Sequence, residues 1–283
     1  MKRIALEFGN WRAVFQLGRK EPEPESICES SPTGNWFEIG FSSWQDAKAR
    51  STGYETDDIL LKASIAARRV RDGHAAYERD TVAFEHRQVV HPVLAWLMYA
   101  VVQSHALRVM DFGGALGSLY FQHRFLLDRL PDFIWGVVEQ AHFIELGQAE
   151  FQTDRLHFYP DIDRCVADMQ PNFALLSGVL QYLEKPYAML DQILGLQLPF
   201  VLIDRTMAHG APDQLTVQHV APNIYEASYP VWMLDAARME AMFATCGYEV
   251  LDSFDPHPGA NFGPVGQEAP YKGWFLVNNR WRR

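Results

Sequence analysis

The sequence predicts an α/β protein whose core is a mostly parallel sheet covered by helices on both faces. Three observations lead there. From Leu107 onward short apolar runs alternate with amphipathic stretches, a glycine-rich turn joins the first run to a helical pattern, and acidic residues follow three successive runs. The apolar runs cover 107–110, 133–138, 156–159, 173–176, 200–203, 248–251 and 274–277, and the helical patterns cover 118–130, 141–151, 163–169, 185–194 and 235–246. Short continuous apolar runs suit strands buried on both faces, and helices between them supply the crossovers that parallel pairing requires. The last two runs lack a convincing helix between them, which predicts a terminal antiparallel pair.

Residues 1–56, ahead of this region, read as irregular. The stretch 21–26, EPEPES, is acidic and broken by proline, so it should be extended and exposed. Residues 36–41, WFEIGF, are apolar enough to dock on another element, and 42–47, SSWQDA, read as a capped helical turn. The first regular helix is expected over 57–71, where Ile59, Leu60, Ala63, Ala66, Ala67 and Val70 form an apolar stripe and Gly73 stands just past the end. A second is expected over 93–104, with Pro92 at its first turn. The expected division is therefore an N-terminal extension and helical cap over 1–104, followed by one α/β domain over 105–283.

Composition narrows the class. The chain has 283 residues, of which 48% are hydrophobic and 21% charged, as in a globular protein with a sizeable core. Aromatic residues reach 13%, with eight Trp, which suits a densely packed core or a pocket walled by rings. With 25 basic and 35 acidic residues the net charge is −10, a balance that repels polyphosphate, so nucleic acid is not an expected partner. The ending Arg280-Trp281-Arg282-Arg283 reads as a solvated tail. Cys28, Cys165 and Cys246 are too few and too far apart for a disulfide framework or a structural zinc site, and the histidines show no HxxxH spacing, so no metal is expected. Glu7 and Asn10 interrupt the N-terminus early enough to argue against a signal peptide, and the longest apolar run, 93–102, is about half of what a bilayer span needs. The chain reads as soluble and cytoplasmic, without a membrane partner and with a small-molecule substrate. The residues specify no oligomeric state.

The sharpest motif is 109–117, VMDFGGALG, between a strand and a helix. Asp111 at the strand end can accept hydrogen bonds from amine or hydroxyl groups of a cofactor, while Gly113, Gly114 and Gly117 let the backbone turn close to a ligand. The GxGxxG spacing of dinucleotide loops is absent, because the first two glycines are adjacent and Ala115 follows them. A tight turn needing glycine for geometry alone is the plainer alternative. Glu139 closes the second run, where an acid can hold both hydroxyls of a ribose or simply favour a helix start. Asp161 with Ile162 follows the third, where the pair can read an adenine amine and wall its ring; singly, a surface acid is the more ordinary reading.

Together these stretches resemble the class I S-adenosylmethionine-dependent methyltransferases. More narrowly, FSSWQDA (41–47), STGY (51–54), YERD (77–80), VMDFGGALG (109–117), SGVLQYL (177–183), DRT (204–206) and TVQHV (216–220) resemble an uncharacterised bacterial methyltransferase family. The resemblance spans nearly the whole chain. It implies a Rossmann-like seven-stranded sheet, mostly parallel with one antiparallel strand, over which the N-terminal helical segment is expected to pack as a cap. It implies S-adenosylmethionine as cofactor and cofactor roles for Asp111, Gly113, Gly117, Glu139 and Asp161. Ala115 departs from the class, many of whose members carry Gly there.

In the wider class, the fourth strand end borders cofactor and substrate. Ser177 and Gly178 are candidates for the methionine end, and Gln181 or Tyr182 for the reacting group, although a lone Tyr at a strand end is more often packing. Beyond the fifth strand Asp204-Arg205-Thr206 opens a long segment to Pro230 holding His209, His219, Tyr225 and Tyr229. Methyl transfer is an in-line displacement in which the protein aligns the nucleophile and, for oxygen, removes its proton. His219 is the first candidate for that base, since a neutral imidazole titrates near working pH, with His209 and Asp204 as competitors. Glu78-Arg79-Asp80 reads as a surface charge cluster in preference to part of a lid. The expected activity is methyl transfer to a small-molecule oxygen or nitrogen, with a sugar or surface-polysaccharide precursor suggested by the resemblance. The rivals are a non-catalytic binding protein on the same fold and a nicotinamide-dependent oxidoreductase. A serine hydrolase is disfavoured by the lack of a GxSxG elbow.

Overall fold

The computed structural model describes residues 3–8, 11–16, 36–53, 57–79, 81–220, 227–257 and 270–281. The acidic stretch 21–26, Cys28, Tyr54, Asp80, Tyr225 and the last two arginines lie outside the described residues. The chain divides into two compact units, Met1–Gly34 and Asn35–Arg283. In the first, β1 (Arg3–Phe8) and β2 (Trp11–Gln16) form an antiparallel hairpin where irregular chain was expected.

The second unit begins with β3 (Trp36–Ile39), α1 (Trp44–Arg50) and α2 (Asp57–Arg71). Ser43 caps α1, its hydroxyl accepting from the Asp46 N–H at 3.1 Å. A short hairpin follows, β4 (Tyr77–Arg79) and β5 (Val82–Phe84), and then α3 (His91–Ser104), with Pro92 in its first turn. The α/β alternation comes next: β6 (Leu107–Phe112), α4 (Ser118–Leu127), β7 (Phe133–Val138), α5 (Ala141–Glu150), β8 (Leu156–Tyr159), α6 (Ile162–Met169), β9 (Phe173–Ser177), α7 (Pro186–Gly195) and β10 (Phe200–His209). The chain then makes β11 (Gln214–His219), β12 (Ser228–Asp235), α8 (Ala236–Thr245), β13 (Tyr248–Phe254) and β14 (Tyr271–Asn278).

Strands β8, β7, β6, β9 and β10 pair in that order and in parallel, β14 joins β10 antiparallel, and β13 joins β14. These seven strands, with β14 alone running against its neighbours, are the sheet that the alternation and the resemblance imply. Alternation along each strand divides the core between two faces. Val109, Trp135, Leu175, Leu202 and Phe275 pack with α2, α3, α4 and α5 on one face. Met110, Val138, Leu176, Ile203 and Trp274 pack with α6, α7 and α8 on the other. Among the described residues no helix is long and apolar enough to cross a membrane.

Three further strands extend the sheet. β10 runs past the end of β9, and Ala208 and His209 pair with Leu234 and Asp235 of β12; β11 pairs antiparallel with β12, and β3 with β11. Thus WFEIGF docks as a sheet edge. Pro230 lies inside β12, which the handling of proline in strands argues against. It is tolerated because β12 meets β10 only at Leu234 and Asp235, so the missing N–H of Pro230 faces no ladder there.

Candidate functional site

Asp111, Ser177 and Asp204 come to one sheet face by simple alternation. Asp111 follows Val109 and pairs in register with Leu175; Ser177 and Asp204 lie one pleat further on and pair with each other. All three stand at the carboxyl ends of parallel strands, where open α/β sheets bind ligands.

The turn after β6 is shaped by close approach. A Cβ on Gly114 would meet the Asp111 carboxylate at 2.3 Å, and one on Gly113 (φ +77) would meet Val179 at 2.5 Å. Gly117, the residue before α4, donates its N–H to the Gly114 carbonyl at 2.9 Å, and no side chain caps α4. Ala115 also adopts a left-handed conformation, φ +51, which explains why a glycine would serve at that position.

Asp111 is only 1% exposed, and its Oδ2 accepts the indole N–H of Trp135 at 3.0 Å. Burial pushes its carboxyl up to about 7; the Trp135 hydrogen bond opposes the shift, Glu139 adds to it, and Arg205 opposes it. Glu139 accepts the N–H of Gln140 at 2.6 Å and also that of Ala115, so its carboxylate ties the end of β7 to the glycine turn. Burial raises Glu139 above its ordinary range as well. Asp161 is exposed and caps α6, Oδ1 accepting the Arg164 N–H at 2.7 Å, while Ile162 is buried beside it.

At the end of β9 the Ser177 hydroxyl donates to Asp204 Oδ2 at 2.7 Å and accepts from Arg205 Nε at 3.2 Å. Gly178 donates its N–H to the Asp204 carbonyl, and the Arg205 guanidinium lies over it, 3.7 Å from where a Cβ would stand. The register of β10 against β14 shifts between Ile203 and Thr206, and Arg205 takes φ +48. This bulge turns Met207 to the Asp111 side of the sheet, where it packs with Tyr182, Tyr229 and Tyr271.

Asp111, Gly113, Gly114, Gly117 and Glu139 thus gather around the turn after β6, Gly114 against Asp111 and Glu139 bonded to the turn at Ala115, with Ser177, Gly178 and Asp204 on the adjoining strands and Asp161 and Ile162 past β8. His219 stands apart. Its ring stacks on Trp36 at 3.6 Å, its Nε2 lies 2.9 Å from Glu38 Oε1, and alternation in β11 turns it to the face of Leu215 and Val217, away from Tyr229. His209 ends β10 beside Asp235. Glu78 is no surface charge: it is buried and accepts the hydroxyl of Ser118, the first residue of α4.

Sequence reasoning gave no role to Trp135, nor to Arg205 or His257 individually. Arg205 could have been suspected from its place beside Asp204, whereas His257 has no local signature. It follows β13, its ring lies 5.9 Å from Tyr271, and its backbone N–H donates to Asp255 at 2.8 Å. Burial, then the guanidinium groups of Arg79 and Arg205, hold its imidazole below the ordinary value, against the opposing pull of Asp204 and Asp255.

No family model matches the chain, and no curated protein sequence is similar to it. Solved structures of class I S-adenosylmethionine-dependent methyltransferases are similar in fold. One is the Burkholderia thailandensis 1,6-didemethyltoxoflavin-N1-methyltransferase with bound 1,6-didemethyltoxoflavin and S-adenosylhomocysteine: 14% identity, 85% of this chain and 92% of that one, TM-score 0.46. The N-terminal domain of EvdMO1 with S-adenosylhomocysteine and D-fucose is 15% identical over 79% of this chain and 97% of its own, TM-score 0.47. Magnesium protoporphyrin IX methyltransferase from Synechocystis is 13% identical over 78% and 100%, TM-score 0.45. Such remote likenesses concern the chain trace; the chemistry rests on the strand-end residues.

Proposed function

We propose that this chain transfers a methyl group from S-adenosylmethionine to an oxygen or nitrogen of a small molecule. The observation that carries the reading is the joining of a buried carboxylate, Asp111, and a half-buried one, Glu139, through one glycine turn at the ends of neighbouring parallel strands. That pair of acceptors fits the cofactor: its ammonium and ribose hydroxyls need acceptors, and its carboxylate suits the start of α4, which no side chain caps. In this reading Asp111, Gly113, Gly114 and Gly117 hold the amino-acid end with Ser177 and Gly178, Glu139 takes the ribose, and Asp161 with Ile162 takes the adenine. When bound, the cofactor supplies an electrophilic methyl group on a sulfonium.

The chain's own residues orient the acceptor and take its proton. Tyr182 and Asp204 belong to the acceptor side of the strand ends. His257, held neutral at pH 7 near Asp204 and Arg205, is better placed to take a proton than His219, which is stacked on the far face. The narrower bacterial family resemblance supports a sugar or surface-polysaccharide precursor as the acceptor.

Isothermal titration with S-adenosylhomocysteine tests the cofactor assignment. Binding is expected, weakened at least about tenfold by Glu139→Ala through loss of a charged hydrogen-bond acceptor. No heat at millimolar ligand sinks the reading.

A further inference from the structure

Among the described residues, the buried side-chain polar atoms without a hydrogen-bond partner fall, Arg108 excepted, between the turn after β9 and the end of β12. Proteins leave few such atoms unpaired, so several of them on side chains connected by contacts point to something bound there. Three of them are acceptor oxygens on deeply buried side chains: Asp204 Oδ1 (0% exposed), Gln181 Oε1 (0%) and Gln218 Oε1 (3%).

These oxygens are linked by contacts. Asp204 directs Oδ2 to Ser177, which leaves Oδ1 unpaired. Gln181 donates its amide N–H to the neighbouring Arg205 carbonyl at 3.1 Å, which fixes the amide with Oε1 as its unpaired end. The next residue, Tyr182, meets Tyr229 edge to face at 5.3 Å. Gln218 pairs across the ladder with Tyr229 and so shares its sheet face. The unmet capacity of these three side chains is for donors: an anion has none to offer them, while Arg205, 3.5 Å from Asp204 Oδ2, already balances the charge of that carboxylate.

We propose that Asp204, Gln181 and Gln218, with the rings of Tyr182 and Tyr229, form the subsite that recognises the methyl acceptor. Its ligand is an uncharged or cationic molecule carrying at least two hydroxyl or amino donors on a carbon ring whose face lies against the tyrosines. The word acceptor rests on the methyltransferase reading; the subsite does not.

The test is titration of the full chain, saturated with S-adenosylhomocysteine, with neutral methyl glycosides, amino-sugar methyl glycosides and the matching uronic acids as probes. At least one neutral or amino probe is expected to bind at tens of millimolar or below, neutral against amino distinguishing the donor, and the uronic acids are expected to bind more weakly. Gln218→Leu should weaken the bound probe by roughly tenfold, about one neutral hydrogen bond. Without any probe, Gln218→Leu should also raise the thermal midpoint, because it removes an unpaired buried oxygen; a structural amide would lower it. Preference for uronic acids, no binding by any neutral or amino probe, or a lowered midpoint overturns the proposal. If S-adenosylhomocysteine fails to bind while a probe binds and Gln218→Leu weakens it, the cofactor reading falls and the subsite stands.

Discussion

Asp111 is a carboxyl group enclosed in protein with one indole donor, and that environment favours its neutral form. Its value rises from 3.8 to about 7, with burial as the leading cause. The sign follows from linkage: the folded state keeps a proton that the unfolded state has lost, so the contribution is fully present below about pH 4 and disappears as pH rises through 7. Asp111→Asn keeps an acceptor for Trp135 and removes the titration. Relative to the variant, the parent should lose on the order of 4 kcal/mol between about pH 4 and 8, read from urea unfolding at each pH. Parallel pH curves for the two proteins would show that Asp111 does not titrate in this range. Ala115, four residues on, carries strain of a different kind. Its φ of +51 is a conformation that glycine adopts without a Cβ penalty, while glycine's greater freedom in the unfolded chain offsets part of the gain. Ala115→Gly should therefore stabilise by up to about 1 kcal/mol in chemical denaturation. A loss of that size would show instead that packing of the methyl against the α4-side core outweighs the strain.

At the level of elements, Asp161 caps a helix, and the proposed function gives the same side chain a ligand to hold. Its Oδ1 caps α6 through the Arg164 N–H. Asp161→Ala should cost about 1 kcal/mol of stability, whereas Asp161→Asn keeps the cap. If Asp161 also holds the adenine amine, both variants should weaken S-adenosylhomocysteine, with Asn doing so at unchanged stability; equal affinity in the Asn variant would leave capping as its whole role. The same locality explains what could be read from the sequence. β6 to β9 are short, mainly apolar runs, three of them with an acid at or close to the end, so the strands and those acids showed together. β12 was hidden by Pro230, which is harmless only because of where β10 lies, a fact of tertiary pairing. In β11 the alternation of Leu215 and Val217 with Thr216 and Gln218 was present, but both faces are buried and neither is marked as the ligand side. His219 looked like a base because histidine titrates near neutrality; its stacking on Trp36 depends on β3, some 180 residues away in the chain, pairing with β11. His257 and the burial of Glu78 likewise depend on contacts between distant segments.

The molecule as a whole couples these parts through one sheet. The two apolar cores lie on opposite faces of the same strands, and β10 belongs to both the parallel set and the extension that carries Tyr229 and Gln218. A ligand held at the ends of β6, β7 and β9 is therefore in contact with strands that cannot separate without breaking both cores. Binding there should raise the stability of the second unit as one body. By mass action, S-adenosylhomocysteine at 100 times its dissociation constant should add about 2.7 kcal/mol, equivalent to roughly 5 to 10 °C in the unfolding midpoint for a domain of this size. The midpoint should climb with the logarithm of ligand concentration in a single transition. Glu139→Ala should move that curve to higher concentration without changing its slope. Reduced nicotinamide dinucleotide should leave the midpoint where it is, because the turn after β6 lacks the glycine spacing that accommodates a pyrophosphate. A shift with the dinucleotide and none with S-adenosylhomocysteine would transfer the site to the oxidoreductase reading; a shift with neither would leave Asp111 and Glu139 as braces of the turn.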